Sequence, residues 1–88
     1  MAVLLITYDL RDKDYEGNVL KFIRGFDSVQ VTESCYAVET SETAESVVAS
    51  LLKLTAKKIK VFAIGITLPW YGLGDQDTYD WLRKHLAS

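Results

Sequence analysis

The chain has 88 residues and a formal net charge of -2 at pH 7, a length that suits one small domain and a balance without the positive excess of a protein that holds nucleic acid by electrostatics alone. With 49% hydrophobic and 11% aromatic residues, the composition excludes a disordered chain. The single cysteine, Cys35, excludes an intrachain disulfide and a zinc cluster of the cysteine–histidine type.

No apolar run approaches the ~20 residues that span a bilayer. No basic segment with a cleavage site precedes the first strand-like run. A cytoplasmic protein with no membrane partner is therefore expected. A chain of this size buries only roughly 60% of its unfolded surface, so its core is thin and a second copy of the chain would relieve it.

Residues 2–8, "AVLLITY", are apolar on both parities, the pattern of a central strand covered on both faces. This run ends at Asp9 and is followed by a loop of alternating charge, Arg11 to Asp14. Val19, Leu20, Phe22 and Ile23 have near-helical spacing and predict a helix from Tyr15 to Arg24, with Gly25 stopping it in the left-handed conformation. "SVQVTESCYAVET" reads as two short antiparallel strands, although its turn lacks a tight-hairpin signal and one bent strand is the alternative.

Ala44, Val47, Val48, Leu51 and Leu52 predict a second amphipathic helix, capped by Thr40 or Ser41. "KVFAIGIT" is the fourth strand, with Phe62, Ile64 and Ile66 on one face and the small face of Val61, Ala63 and Gly65 suited to a helix or another subunit. Pro69, Gly72 and Gly74 then mark a loop. Residues 77–86 close the chain as a helix capped by Asp75 or Asp77, with Arg83, Lys84 and His85 complementing its negative end.

The order β-α-β-β-α-β-α predicts an α+β, ferredoxin-like domain over residues 1–88: a four-stranded antiparallel sheet, both main helices on one face, and residues 68–88 as a loop-and-helix tail. The other face then meets water, the C-terminal helix or a second copy.

"VLLITYDL", "DSVQVTESCYAVET" and "KVFAIGI" together resemble the small CRISPR-associated Cas-two family and its free-standing SinR-like relatives. The VapD-type toxin ribonucleases resemble the same group, and the "LPWYG...DWLRKHL" tail is more similar to the SinR-like branch. The resemblance implies a ferredoxin-like homodimer. It also implies that Asp9, the aspartate ending the first strand, lies near the two-fold axis, where the nuclease members hold a divalent metal on a pair of such residues. Gln30 and Ser34 match the second-strand motif. The acidic balance and the sparse arginines after Asp9 depart from the nuclease pattern.

Two functions from different classes follow. In one, the dimer is a binding or adaptor module for a nucleic acid, a nucleotide or a protein. In the other, two Asp9 carboxylates hold Mg²⁺ or Mn²⁺, which polarises a phosphodiester and activates water for cleavage of RNA or DNA. Asp9 can also be a strand-end residue whose charge Arg11 and Lys13 offset. Asp12 and Asp14 read as a solvated loop, and Lys57, Lys58 and Lys60 as the basic end of a helix. Cys35 reads as a strand residue, with no histidine near it in sequence. Trp70, Tyr71 and Trp81 read first as packing or interface anchors, and second as platforms that stack bases. Asp9, opposite Tyr8 in strand parity, is expected on the open face, with Tyr8 against the helices.

Overall fold

The computed structural model describes residues 1–86. Strand β1 (Ala2–Leu10) leads through a 3-10 turn (Lys13–Tyr15) into helix α1 (Glu16–Arg24). Strands β2 (Asp27–Thr32) and β3 (Cys35–Thr40) precede helix α2 (Ala44–Leu54), strand β4 (Ile59–Gly65) and helix α3 (Gln76–His85). The four strands form one open antiparallel sheet in the order β2-β3-β1-β4, an α+β architecture compatible with the ferredoxin-like plan.

The doubly apolar first strand takes a central place between β3 and β4. Its even residues Leu4, Ile6, Tyr8 and Leu10 join Val38 and Ile59 of neighbouring strands in the main core. Val19 and Ile23 of α1 and Val47 and Leu51 of α2 close that core from one side, as alternation in a strand and the 3.6-residue period of a helix require. The narrow face of β4 is the helical side: Val61 and Ala63 pack against this core. The odd residues face the other way, where Val3 and Ala37 form a second, smaller cluster with Leu86. Leu5, Val29, Val31, Ile66, Trp70, Trp81 and Leu82 surround it. Thus the tail folds back over part of its own open sheet face.

The β2–β3 segment is a true hairpin, with Asp27 opposite Glu39 and Val29 opposite Ala37. Its register shifts between Gln30 and Thr32, and that irregularity stands in for the missing turn signal.

Three local expectations are corrected. Gly25 is right-handed, with φ -71° and ψ -13°, so it is not a left-handed stop; a Cβ there would come within 3.2 Å of the Phe22 carbonyl. Among the described residues the left-handed ones are instead Ala56 (φ 50°) and Lys57 (φ 63°), just beyond α2. Helix α2 is capped by Thr43, whose hydroxyl accepts from Ser46 N at 3.0 Å. Thr40 Oγ1 accepts from Glu42 N, one turn too early for that role. Asp75 occupies the N-cap position of α3 with no side-chain capping bond, so neither it nor Asp77 acts as the expected cap.

Candidate functional site

The open face has a bare half and a covered half. On the bare half, β1 places Thr7 opposite both Cys35 and Phe62, and Asp9 opposite Lys60. Tyr8, with the other parity, is 7% exposed in the helical core and stacks on Tyr36 at 6.5 Å between ring centroids. Burial, with help from Tyr36 and Glu16, pushes its hydroxyl above the usual phenol range. Asp9 is exposed and points to the open face, as its parity requires. On the same face, Phe62 opposite Thr7 and Ile64 opposite Leu5 remain 67% and 49% exposed.

The hairpin turn borders this end of the sheet, because Tyr8 N donates to the Ser34 carbonyl at 3.0 Å. Arg11 leaves the strand with its amide bonded to Lys58 O at 3.0 Å. Asp12 accepts from Asp14 N at 3.0 Å and lies 3.9 Å from Lys58 Nζ, the geometry of a solvated cap. Cys35 is half-buried, and desolvation pushes its thiol up, away from the thiolate a nucleophile needs.

The other expected residues lie along the tail. Trp70 packs into the second cluster and meets Tyr79 edge-to-face at 5.3 Å. Tyr71 and Leu73, on either side of Gly72, are fully exposed. Together they border a cleft of about 340 Å³ whose walls include Leu5, Val31, Ile66, Leu82 and Leu86, near the lower size of ligand pockets. Its described lining contains no lysine or arginine and carries one carboxylate, Asp75. Gln30 is exposed; its carbonyl accepts from Thr78 Oγ1 at 2.6 Å, which ties α3 to β2. Asp9, Ser34 and Arg11 therefore gather at one end of the sheet, while Gln30, Trp70 and Tyr71 belong to the tail.

Sequence reasoning missed a polar cluster at the outer end of the covered half. Asp27 receives Trp81 Nε1–H on Oδ1 at 2.9 Å, and His85 Nε2 lies 2.7 Å from its Oδ2. The other imidazole nitrogen, Nδ1, is 2.9 Å from the Trp81 carbonyl, and the ring stacks on the Trp81 indole at 3.8 Å. Both ring nitrogens thus face acceptors, and only the imidazolium can donate to both. The His85 side chain is 7% exposed. Burial alone would lower its pKa, but the Asp27 hydrogen bond, the Trp81 carbonyl and the charges of Asp27 and Glu39 outweigh it and raise the value. The Trp81 and His85 hydrogen bonds hold the Asp27 carboxyl below the usual range. One signal for this cluster was present in the sequence: Trp81 and His85 share a helix face at i, i+4. Comparison of the chain with protein-family models, with curated proteins and with solved structures returns no match.

Proposed function

We propose that the chain is a ferredoxin-like, homodimeric binding module of the Cas-two-like and SinR-like kind. The observation that carries this reading is the half-covered sheet face: α3 closes one half, and the other leaves Phe62 and Ile64 bare on the face that also carries Asp9. Exposed apolar surface of this sort marks an interaction site, and the resemblance favours a second copy of the chain as its occupant. Stacking about a two-fold axis near Asp9 brings two carboxylates together. Two such groups at close range need a metal, a shared proton or basic partners. Lys60 sits opposite Asp9 in each copy, so a balanced set of two acids and two bases needs no ion. Lys60 thus replaces Arg11 and Lys13 as the basic partner that the register favours. The cleft beside Trp70 takes an apolar side chain of a protein partner, since phosphates would meet Asp75 and no basic lining residue.

The rival reading is a Mg²⁺- or Mn²⁺-dependent nuclease built on paired Asp9 residues; the exposure of Asp9 on the open face favours it. Light scattering across micromolar concentrations, with cleavage assays on RNA, single-stranded and duplex DNA, decides between them. The binding reading expects a dimer, no divalent-dependent cleavage, and an Asp9→Asn variant that remains dimeric. Divalent-dependent cleavage lost in Asp9→Asn establishes the nuclease instead. A chain that stays monomeric ends both.

A further inference from the structure

Asp27 and Glu39 stand directly opposite each other on adjacent strands. Like charges in that relation repel. Residue 85, contributed by α3, lies close to both: one ligand atom from each of Asp27, Glu39 and His85 lies within 4.8 Å of the others. Three elements, β2, β3 and α3, thus bring one imidazole nitrogen and two carboxylates to one point. We propose that Asp27, Glu39 and His85 form a binding site for a single divalent cation of the Zn²⁺ class, which fastens the tail helix to the sheet. This site is separate from the Asp9 end of the sheet and does not rest on the reading of Asp9.

The surroundings of the donors fit that use. A metal-binding histidine commonly gives its second ring N–H to a backbone carbonyl, which fixes the ring and leaves the first nitrogen free for the ion. Here Nδ1 faces the Trp81 carbonyl, and Nε2 is the nitrogen aimed at the carboxylates. Trp81 Nε1–H holds the far oxygen of Asp27 and so turns Oδ2 toward the same point. Bond lengths of roughly 2.0–2.2 Å place tetrahedral ligand atoms about 3.4 Å apart. The donors reach that spacing through side-chain rotation of the order of an ångström, which the exposed Asp27 and half-buried Glu39 can make. One nitrogen with two carboxylate oxygens suits Zn²⁺ and its first-row neighbours better than Mg²⁺, which favours an all-oxygen octahedron. Two carboxylates and a neutral imidazole offset the dication. On binding, the ion replaces the proton on Nε2, that proton leaves to solvent, and no other bond changes.

The test is calorimetric titration of the full chain, stripped with chelator, with Zn²⁺ at pH 7.5. The expected result is one ion per chain, a higher melting temperature and a change in tryptophan fluorescence, since Trp81 touches two of the ligands. Glu39→Gln is the decisive variant. Among the described residues no side-chain hydrogen bond of Glu39 holds the fold, so the metal-free variant should fold and lose only the small attraction between Glu39 and the His85 imidazolium. Its Zn²⁺ affinity should nevertheless fall at least about tenfold. Asp9→Asn should bind as wild type does, and Mg²⁺ should bind more weakly than Zn²⁺. The proposal is overturned by sub-stoichiometric binding, by Glu39→Gln binding as tightly as wild type, by loss of binding in Asp9→Asn, or by equal affinity for Mg²⁺.

Discussion

At the scale of single residues, Tyr8 and Asp9 show how strand parity separates two neighbours. One ring is buried at 7% exposure among the helices, and the next side chain faces solvent on the open side. His85 has the larger energetic consequence. Its pKa rises on folding above the ordinary 6.5, so its contribution to stability is fully present below pH 6.5 and is lost as the pH climbs through the folded value. Asp27 acts in the opposite sense. Its folded pKa lies below 3.8, so its contribution is present above that pH and fades as the pH falls through the folded value. The pair therefore works best between the two ordinary values. In chelator, the melting temperature of the wild-type chain should decline by a few degrees between pH 6 and pH 9, an effect kept small by the solvent around Asp27. His85→Gln should melt lower at pH 6 and lose most of that slope, as followed by circular dichroism. A variant with the wild-type slope would assign the pH dependence to other groups.

At the scale of elements, the end of α2 carries an uncommon local cost. Lys57 N donates to Leu52 O at 2.8 Å, and Ala56 N reaches Lys53 O at 3.5 Å, the bonding pattern of a Schellman motif. That motif asks for a left-handed residue at the position of Ala56, which has φ 50°, and glycine is the residue that takes it without a Cβ penalty. Ala56→Gly should stabilise the domain by about 1 kcal/mol, a rise of roughly 4–8 °C for a domain of this size. Thermal melts check this, and an unchanged or lower melting temperature contradicts it. The elements themselves were legible because each carries its period: alternation in β2 and β3, and 3.6-residue spacing in α1 and α2. Their ends were less so. Thr40, Ser41 and Thr43 all have cap chemistry, and only the turn geometry selects Thr43. Gly25 looked like a left-handed stop because composition marks a breaker without fixing its dihedral angles. The Asp27–His85 contact joins residues 58 positions apart. It depends on the hairpin register and the docking of α3 together, and no local pattern encodes both.

At the scale of the whole molecule, the tail decides which part of the sheet is left uncovered. Trp81, Leu82 and Leu86 lie over Val3 and Ala37, so the side of the open face nearest β2 is closed by the chain itself. The β4 side keeps Phe62 and Ile64 uncovered, and β4 is an edge strand with only β1 beside it. Alternation along "KVFAIGIT" shows that Phe62 and Ile64 share a face, but the sequence does not say where α3 will stop. If a second copy covers these two side chains, a two-fold axis buries each of them twice. Full burial of one large apolar side chain contributes about 1.5–3 kcal/mol. Placing a charge at both symmetry-related copies of one such position should therefore weaken the dimer by at least about 100-fold. Phe62→Glu should elute and scatter as a monomer at concentrations where wild type is dimeric, while its circular dichroism spectrum stays the same, because position 62 is exposed within one chain. Tyr71→Ala, on the tail loop, should leave the dimer intact. Dimers that survive Phe62→Glu but fail in Tyr71→Ala would move the interface from the bare half of the sheet to the loop of residues 67–75.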